Sequence, residues 1–308
     1  MPVYISRRPP ARSYNSVILG DGPAGFWDFN GTTLTDLTAH ANNATFPAGT
    51  PAATVMPNGD LAMNFNGSSQ YATIPTQNYF SAAKSVNGGV SPGGILTIEA
   101  WIAPAVTIFP HETGSGYVWW AGKGTTSSGT GANQEWGCRM YGTNNTESPN
   151  RWNRISGYCF NPGGNPNLGV GAYFQVPAAA PVPVSPFPQW IYYVLVINTQ
   201  NTSPTYTQGY VTIYRGAIGT AIGNSTPVDT NTQSLTGEGG IVPVYGTAPV
   251  RIGTRNLESY FEGAVGKFAL YDFELTAAQV TAHYNAITPP RGAFYGPGPA
   301  AVSRSATW

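Results

Sequence analysis

The sequence predicts an all-β protein: a two-sheet antiparallel sandwich of the jelly-roll kind, with one short C-terminal rim helix and an extended arm at each end. Three observations carry this expectation. Glycine and proline number 38 and 27 in a chain of 308 residues, a density that interrupts helices. Aromatic residues still make up 13% of the chain, too many for a featureless disordered polymer. Apolar runs of strand length recur between turn residues, which is the sequence form of a sandwich. The length suits one large sandwich and does not force two domains.

Charge narrows the function classes. Only 9% of residues are Asp, Glu, Lys or Arg, and 14 basic residues against 14 acidic ones give a formal net charge of +0, where an ordinary soluble domain is about 25% charged. A nucleic-acid partner is therefore not expected. No run of about 18 apolar residues offers a membrane span, so no membrane partner is expected either. The first residues, MPVYISRRPPARSYNS, hold charge and proline but no apolar signal-peptide core. Cys138 and Cys159 are too few to staple a chain of this size, and buried reduced thiols are the favoured reading over a disulfide.

Residues 1–16 read as an extended basic docking arm, since Arg7, Arg8 and Arg12 flank the Pro9-Pro10 pair and no acidic residue intervenes. Residues 17–287 read as the sandwich. LAMNFNGSSQYATIP suggests two strands about Asn66-Gly67, a dipeptide suited to a hairpin turn. ILTIEAWIAP places Ile98, Ala100 and Ile102 on one face and Glu99 and Trp101 on the other, whereas WIYYVLVIN is apolar on both faces and reads as a central strand covered twice. GYVTIYRGAIGTAIG reads as a hairpin, and PVRIGTR and YFEGAVGKFALYDF supply further strands. Residues 105–190 contain long Gly-, Ser-, Thr-, Asn- and Pro-rich stretches and read as elaborated loops, where binding usually resides. WGCRMYG and RISGYCF inside that stretch suggest neighbouring strands carrying the two cysteines.

In ELTAAQVTAHYNA, Thr276 followed at the third position by Gln279 forms a capping-box signature, so a helix is predicted over 276–285. Residues 288–308 form a Pro- and Gly-rich tail bearing Arg291, Phe294, Tyr295 and Trp308. The two ends read either as solvated termini or as arms that dock on a neighbouring subunit through guanidinium forks and aromatic anchors.

Trp119, Trp120, Trp136, Tyr141 and Trp152 cluster in the elaborated half. Aromatic faces stack on sugar rings, so these residues are a candidate glycan platform, although a sandwich also needs some of them as core fillers. His40, His111 and His283 are scattered in sequence and read as solvated or turn residues rather than a metal cluster.

The ordered series GPAGFWDFN, DLTAHANNATF, LAMNFNGSSQYATIP, LTIEAWIAP, VTIYRG, VRIGTR and EGAVGKFALYDFELTAAQVTAHY resembles the laminin G-like, concanavalin A-like jelly-roll superfamily over residues 17–286. That resemblance implies that Trp27 introduces the first strand, that the strand ending in Ala100-Trp101 lies centrally, and that the last strand precedes a rim helix. It also implies calcium as the one candidate ion, with Asp36, Asn42 and Asn43 as its loop. Gly266 stands where the family's last strand carries a carboxylate, which weakens that site, and Asx turns are the competing reading. No other cofactor is expected. The Glu-x-Asp-x-x-Glu pattern of the superfamily's retaining glucanases is absent, and Glu99, Glu112, Glu135 and Glu147 have no same-strand partner, so no enzyme is expected.

The neutral composition, the two extended ends and the missing signal peptide resemble virion proteins of tailed bacteriophages. The function implied is a non-enzymatic structural or adhesion protein, a minor tail protein showing a lectin-like sandwich on the particle. Capsid decoration is the alternative, and a carbohydrate-binding module or glycanase stands behind it. The partners implied are other virion proteins, further copies of the chain and a host-surface glycan.

Overall fold

The computed structural model describes residues 13–30, 34–83, 94–106, 108–109, 116–124, 134–147, 151–152, 154–160, 169–175, 190–200, 204–217, 228–235, 241 and 243–287. In chain order the elements are α1 (Tyr14–Gly20), β1 (Gly25–Trp27), β2 (Ala52–Val55), β3 (Leu61–Asn66), β4 (Ala72–Ile74), β5 (Ile95–Pro104), β6 (Tyr117–Lys123), β7 (Trp136–Tyr141), β8 (Arg154–Phe160) and β9 (Gly169–Gln175). There follow β10 (Ile191–Asn198), β11 (Tyr210–Ala217), β12 (Asp229–Ser234), β13 (Val250–Ile252), β14 (Glu262–Tyr271) and α2 (Ala277–Ile287). The larger sheet runs β12-β11-β10-β5-β14-β3-β2 with β1 beside β14, and the smaller runs β4-β13-β6-β7-β8-β9. Every strand pairing within them is antiparallel.

Alternation along the central strands builds the core. Ile98 and Ile102 of β5 and Tyr193, Leu195 and Ile197 of β10 face the smaller sheet, where they meet Val118, Trp120, Trp136, Cys138 and Ile155. Their neighbours Trp101, Tyr192, Val194 and Val196 face the other way and pack with Tyr14, Ile18, Val280, Tyr284 and Ile287 of the two helices. The central position of β5 and the double covering of β10 match the sequence reading. Each fully buried large apolar side chain contributes roughly 1.5–3 kcal/mol. Tyr193 also ties the sheets together, with its hydroxyl donating to the Ser156 carbonyl across the sandwich at 3.1 Å.

Several local expectations are corrected. Residues 14–16, assigned above to an extended arm, are helical: Ser13 caps α1 by accepting from the Ser16 amide at 3.3 Å. A seven-residue segment YNSVILG is too short to hold a helix in water. What holds it is burial of Tyr14 and Ile18, spaced one turn apart, on the larger sheet. The predicted C-terminal helix forms as α2, and Thr276 and Gln279 close the capping box reciprocally, amide to side chain, at 3.0 and 3.3 Å. It covers the outer face of the larger sheet instead of lying only at the rim.

Gly67 does adopt φ 69°, yet the turn is not a hairpin. β3 belongs to the larger sheet and β4 to the smaller, so Asn66-Gly67 carries the chain between layers, with Asn66 Oδ1 accepting the amides of Ser68, Ser69 and Gln70. β11 pairs with β10 on one side and with β12 on the other, where Tyr210 stands opposite Ser234, whereas most of the segment expected to return as its hairpin lies outside the described residues. The stretch 105–190 is not all loop, since β6, β7, β8 and β9 fall within it. Arg7, Arg8, Arg12, Arg291, Phe294, Tyr295 and Trp308 lie outside the described residues.

Candidate functional site

The sequence-predicted sites are placed as follows. Trp120 and Trp136 point between the sheets and are fully buried, with the Trp136 indole donating to the Phe80 carbonyl at 3.0 Å. Trp152 is half-buried, and its indole donates to the Asn145 carbonyl at 2.7 Å. Trp119 and Tyr141 do lie on the outer face of the smaller sheet, but they are 0% and 2% exposed. The five residues therefore form no open glycan platform, because the apolar interior claims two and charged side chains roof two more.

Asp36, Asn42 and Asn43 form a backbone clamp. Asp36 Oδ1 accepts the amides of Phe26 and Thr38 at 3.1 and 3.0 Å, Oδ2 accepts that of Asn42 at 2.9 Å, and Asn43 Oδ1 accepts that of Asp36 at 3.0 Å. The carboxylate that would lead a calcium loop is thus engaged by three backbone N–H groups, and the geometry is that of the Asx-turn reading. Among the described residues no group of three or more His, Cys, Asp or Glu side chains converges as metal ligands.

His283 overturns the expectation of a solvated histidine, whereas His40 is exposed beside Tyr79 as expected and His111 lies outside the described residues. His283 is fully buried, with Nδ1 3.0 Å from Glu99 Oε2 and Nε2 2.9 Å from Asp21 Oδ2. Glu99 also accepts the hydroxyls of Tyr14, Tyr192 and Tyr271 at 2.6, 2.9 and 2.7 Å. Burial alone would lower the imidazolium and raise the carboxyl. Their mutual attraction, with hydrogen bonds to Asp21 and from the tyrosines, instead holds His283 above and Glu99 below the usual range. This is a buried ionic staple between β5 and both helices. Neither Glu99 nor His283 reaches solvent.

A second buried pair joins Lys123 to Glu135 across the β6–β7 hairpin, and both side chains are 0% exposed. The Gly246 carbonyl accepts from Lys123 Nζ at 2.5 Å and its amide donates to Glu135 Oε1 at 2.6 Å. Cys138 and Cys159 are free thiols, as favoured above, and burial pushes both well above the usual thiol range. They lie on paired strands but out of register, with Cys138 opposite Gly157 and Cys159 opposite Trp136. A polar pocket of about 190 Å³ is lined by Asn15, Asp28, Asn30, Asp60 and Lys267. These groups satisfy one another, with Lys267 Nζ 2.9 Å from Asp60 and 2.8 Å from Asn15.

Sequence reasoning missed the arginines of the smaller sheet's outer face. β6, β7, β8 and β9 present Tyr117, Trp119, Arg139, Tyr141, Tyr158, Phe160 and Tyr173 there. The Arg139 guanidinium lies 3.9 Å from the Trp119 ring centroid, 4.1 Å from that of Tyr117 and 4.7 Å from that of Tyr158. Arg255 covers the other approach to Trp119 at 4.0 Å, and Arg154 stands 3.8 Å over Tyr173. Gly137, Gly169 and Gly171 keep the layer flat, since a Cβ at each would meet the rings of Trp119, Phe160 and Tyr158 at 2.4–2.5 Å. Each cation–π contact returns about 0.5–2 kcal/mol. The signal available in sequence was Arg139, Tyr141, Tyr158 and Phe160 at alternate positions of the two cysteine strands.

The fold and these faces define an antiparallel β sandwich with one outer face sealed by helices and the other lined with arginine and aromatic side chains. The sequence matches no family model and no curated protein. Among solved structures the chain is similar to the binding domain of botulinum neurotoxin DC in complex with SialylT (TM-score 0.53, 10% identity, 87% of this chain and 52% of that one). It is also similar to the receptor binding domain of botulinum neurotoxin D (TM-score 0.52, 10% identity, 87% and 53%) and to the binding domain of Paraclostridial Mosquitocidal Protein 1 (TM-score 0.51, 11% identity, 87% and 53%). At such identity the likeness shows the fold, and the chain spans about half the length of these neighbours.

Proposed function

We propose that the chain is a non-enzymatic receptor-binding or adhesion module, carried as a minor tail protein on the surface of a tailed bacteriophage particle. The observation that carries the binding half is the asymmetry of the sandwich. α1 and α2 close the larger sheet, whereas the smaller sheet turns Tyr173, 38% exposed, and a row of half-buried arginines outward. Tyrosine, tryptophan and arginine are the side chains that dominate recognition surfaces. The solved neighbours are binding domains of similar fold, one in complex with N-acetylneuraminic acid and another with rat synaptotagmin II, which supports a glycan or protein receptor. The virion half rests on the sequence resemblance, and capsid decoration remains its alternative. Two measurements test the two halves separately. Binding of the purified chain to host cell-wall fragments is expected, and its absence rejects the adhesion role. Mass spectrometry of purified particles is expected to find the chain, and particles without it reject the virion role.

A further inference from the structure

Three guanidinium groups crowd one tyrosine ring on the outer face of the smaller sheet. Arg139, Arg151 and Arg154 surround Tyr141, with guanidinium carbons 5.4, 5.7 and 5.9 Å from its ring centroid. Arg139 Nη1 and Arg151 Nη1 both donate to the Tyr141 hydroxyl, at 2.7 and 3.1 Å, and that hydroxyl lies 2.9 Å from the hydroxyl of Tyr158. Arg151 also pairs with Glu147 at 2.7 Å, but among the described residues no carboxylate reaches Arg139. The Arg139 Nε and the Trp119 indole N–H, the latter on a side chain 0% exposed, have no acceptor among the described residues. Charges of one sign crowded around a ring repel, and donors taken from water without an acceptor are costly. Tyr141 and Tyr158 share one hydrogen bond and shift in opposite directions: burial raises the Tyr141 phenol, whereas the Arg139 charge with hydrogen bonds from Tyr141 and Ser156 lowers that of Tyr158 against its burial.

We propose that the Arg139–Tyr141–Tyr158 cluster is an oxyanion-binding site whose ligand is a carboxylate-bearing saccharide. The inference rests on the receptor-module reading and names the ligand class of that face. Arg139 supplies the planar fork that matches a carboxylate, and Tyr141 and Tyr158 supply hydroxyls at its side. Tyr173, exposed and stacked with Arg154 at the edge of the cluster, offers the aromatic surface for a sugar ring. Tyr117, Trp119 and Tyr141 are buried beneath the arginines, so the sugar ring rests on Tyr173 with its carboxylate turned to the Arg139 fork, whereas a free inorganic anion uses only the fork.

Calorimetric titration of the full chain at low salt tests this, with a glucuronate-containing trisaccharide, the neutral glucose trisaccharide of the same linkage, and inorganic sulfate as probes. The acidic trisaccharide is expected to bind at least about tenfold more tightly than the neutral one and than sulfate, as the loss of a single charge-assisted contact implies. Arg139→Gln is expected to abolish that preference. Arg154→Gln at the cluster's edge, checked for an unchanged circular dichroism spectrum, is expected to weaken acidic binding severalfold, so the test stands even if Arg139→Gln misfolds. Equal affinity for the two trisaccharides, no binding of the acidic one, tighter binding of sulfate, or unchanged binding by both variants would overturn the inference. Binding to host wall fragments without acid preference would overturn it while leaving the adhesion reading intact.

Discussion

Lys123 and Glu135 show at the scale of single residues how this protein keeps charge inside. Neither side chain is exposed, and the Gly246 peptide serves both partners. Removing one partner leaves the other charged or unpaired in an apolar interior, whereas removing both removes the charges and leaves the buried Gly246 N–H and C=O without these partners. Glu135→Ala alone is expected to cost about 3–5 kcal/mol in urea unfolding. Lys123→Met with Glu135→Leu is expected to recover part of that loss, the remainder being the unpaired Gly246 peptide, and a double variant as unstable as the single one would show that the pair contributes more than charge balance. Asp36 has the same character at the surface of the core. Because three backbone amides already occupy its carboxylate, Asp36→Ala is expected to cost at least about 2 kcal/mol, and adding calcium to chelator-treated protein is expected to leave the melting temperature unmoved. A rise of several degrees with calcium would reinstate the ion-loop reading.

Elements are held together by the Glu99–His283 staple, and its linkage sets a pH window. His283 has its folded pKa raised, so its contribution is complete below its unfolded value, about 6.5, and is lost as pH rises through the folded one. Glu99 has its folded pKa lowered, so its contribution is complete above its unfolded value, about 4.3, and is lost as pH falls through the folded one. Both terms are fully present between those limits. Stability measured from pH 3 to 9 is therefore expected to peak between about 4.5 and 6.5 and to decline on both sides. His283→Gln is expected to flatten the alkaline limb, and a variant with the limb unchanged would mean that another group titrates there. At the end of α2, Thr276→Ala removes the hydroxyl that caps the Gln279 amide and is expected to cost about 1 kcal/mol.

For the whole molecule, α1 with its Ser13 cap is part of the folded body. Tyr14 donates to Glu99 and packs with Ile18 under the larger sheet, so α1 belongs to the sandwich although the arm before it was read as continuous through residue 16. Deleting residues 1–12 is expected to leave the melting temperature within about a degree. Extending the deletion through Tyr14 is expected to lower it by roughly 4 °C or more, since a lost buried hydrogen bond to a carboxylate and a lost buried ring together cost about 3 kcal/mol, at about 2 °C per kcal/mol. Equal melting of the two truncations would separate α1 from the body. The same 1–12 deletion, and removal of residues 289–308, bear on the docking-arm reading: both are expected to reduce incorporation into particles.

The sequence by itself determined the class of fold, the central place of the Ile95–Pro104 strand, the two-faced Ile191–Asn198 strand and the capped helix after Glu274. These follow from periodicity and capping chemistry, which act over a few residues and are written in consecutive positions. Tertiary structure alone decided which face of each aromatic strand is interior. Trp119 and Trp120 are neighbours in sequence, yet one packs under arginines outside the smaller sheet and the other against Tyr193 between the sheets. The bulge between Trp119 and Ala121 shifts the alternation there, so no period of two could assign them. Glu99 looked like an isolated carboxylate because its partners stand 85, 93, 172 and 184 residues away. Local pattern carries no information about contacts closed over such separations; they exist because sheet pairing and helix docking bring distant hydroxyls and an imidazole to one buried charge, where a low dielectric makes each of them necessary.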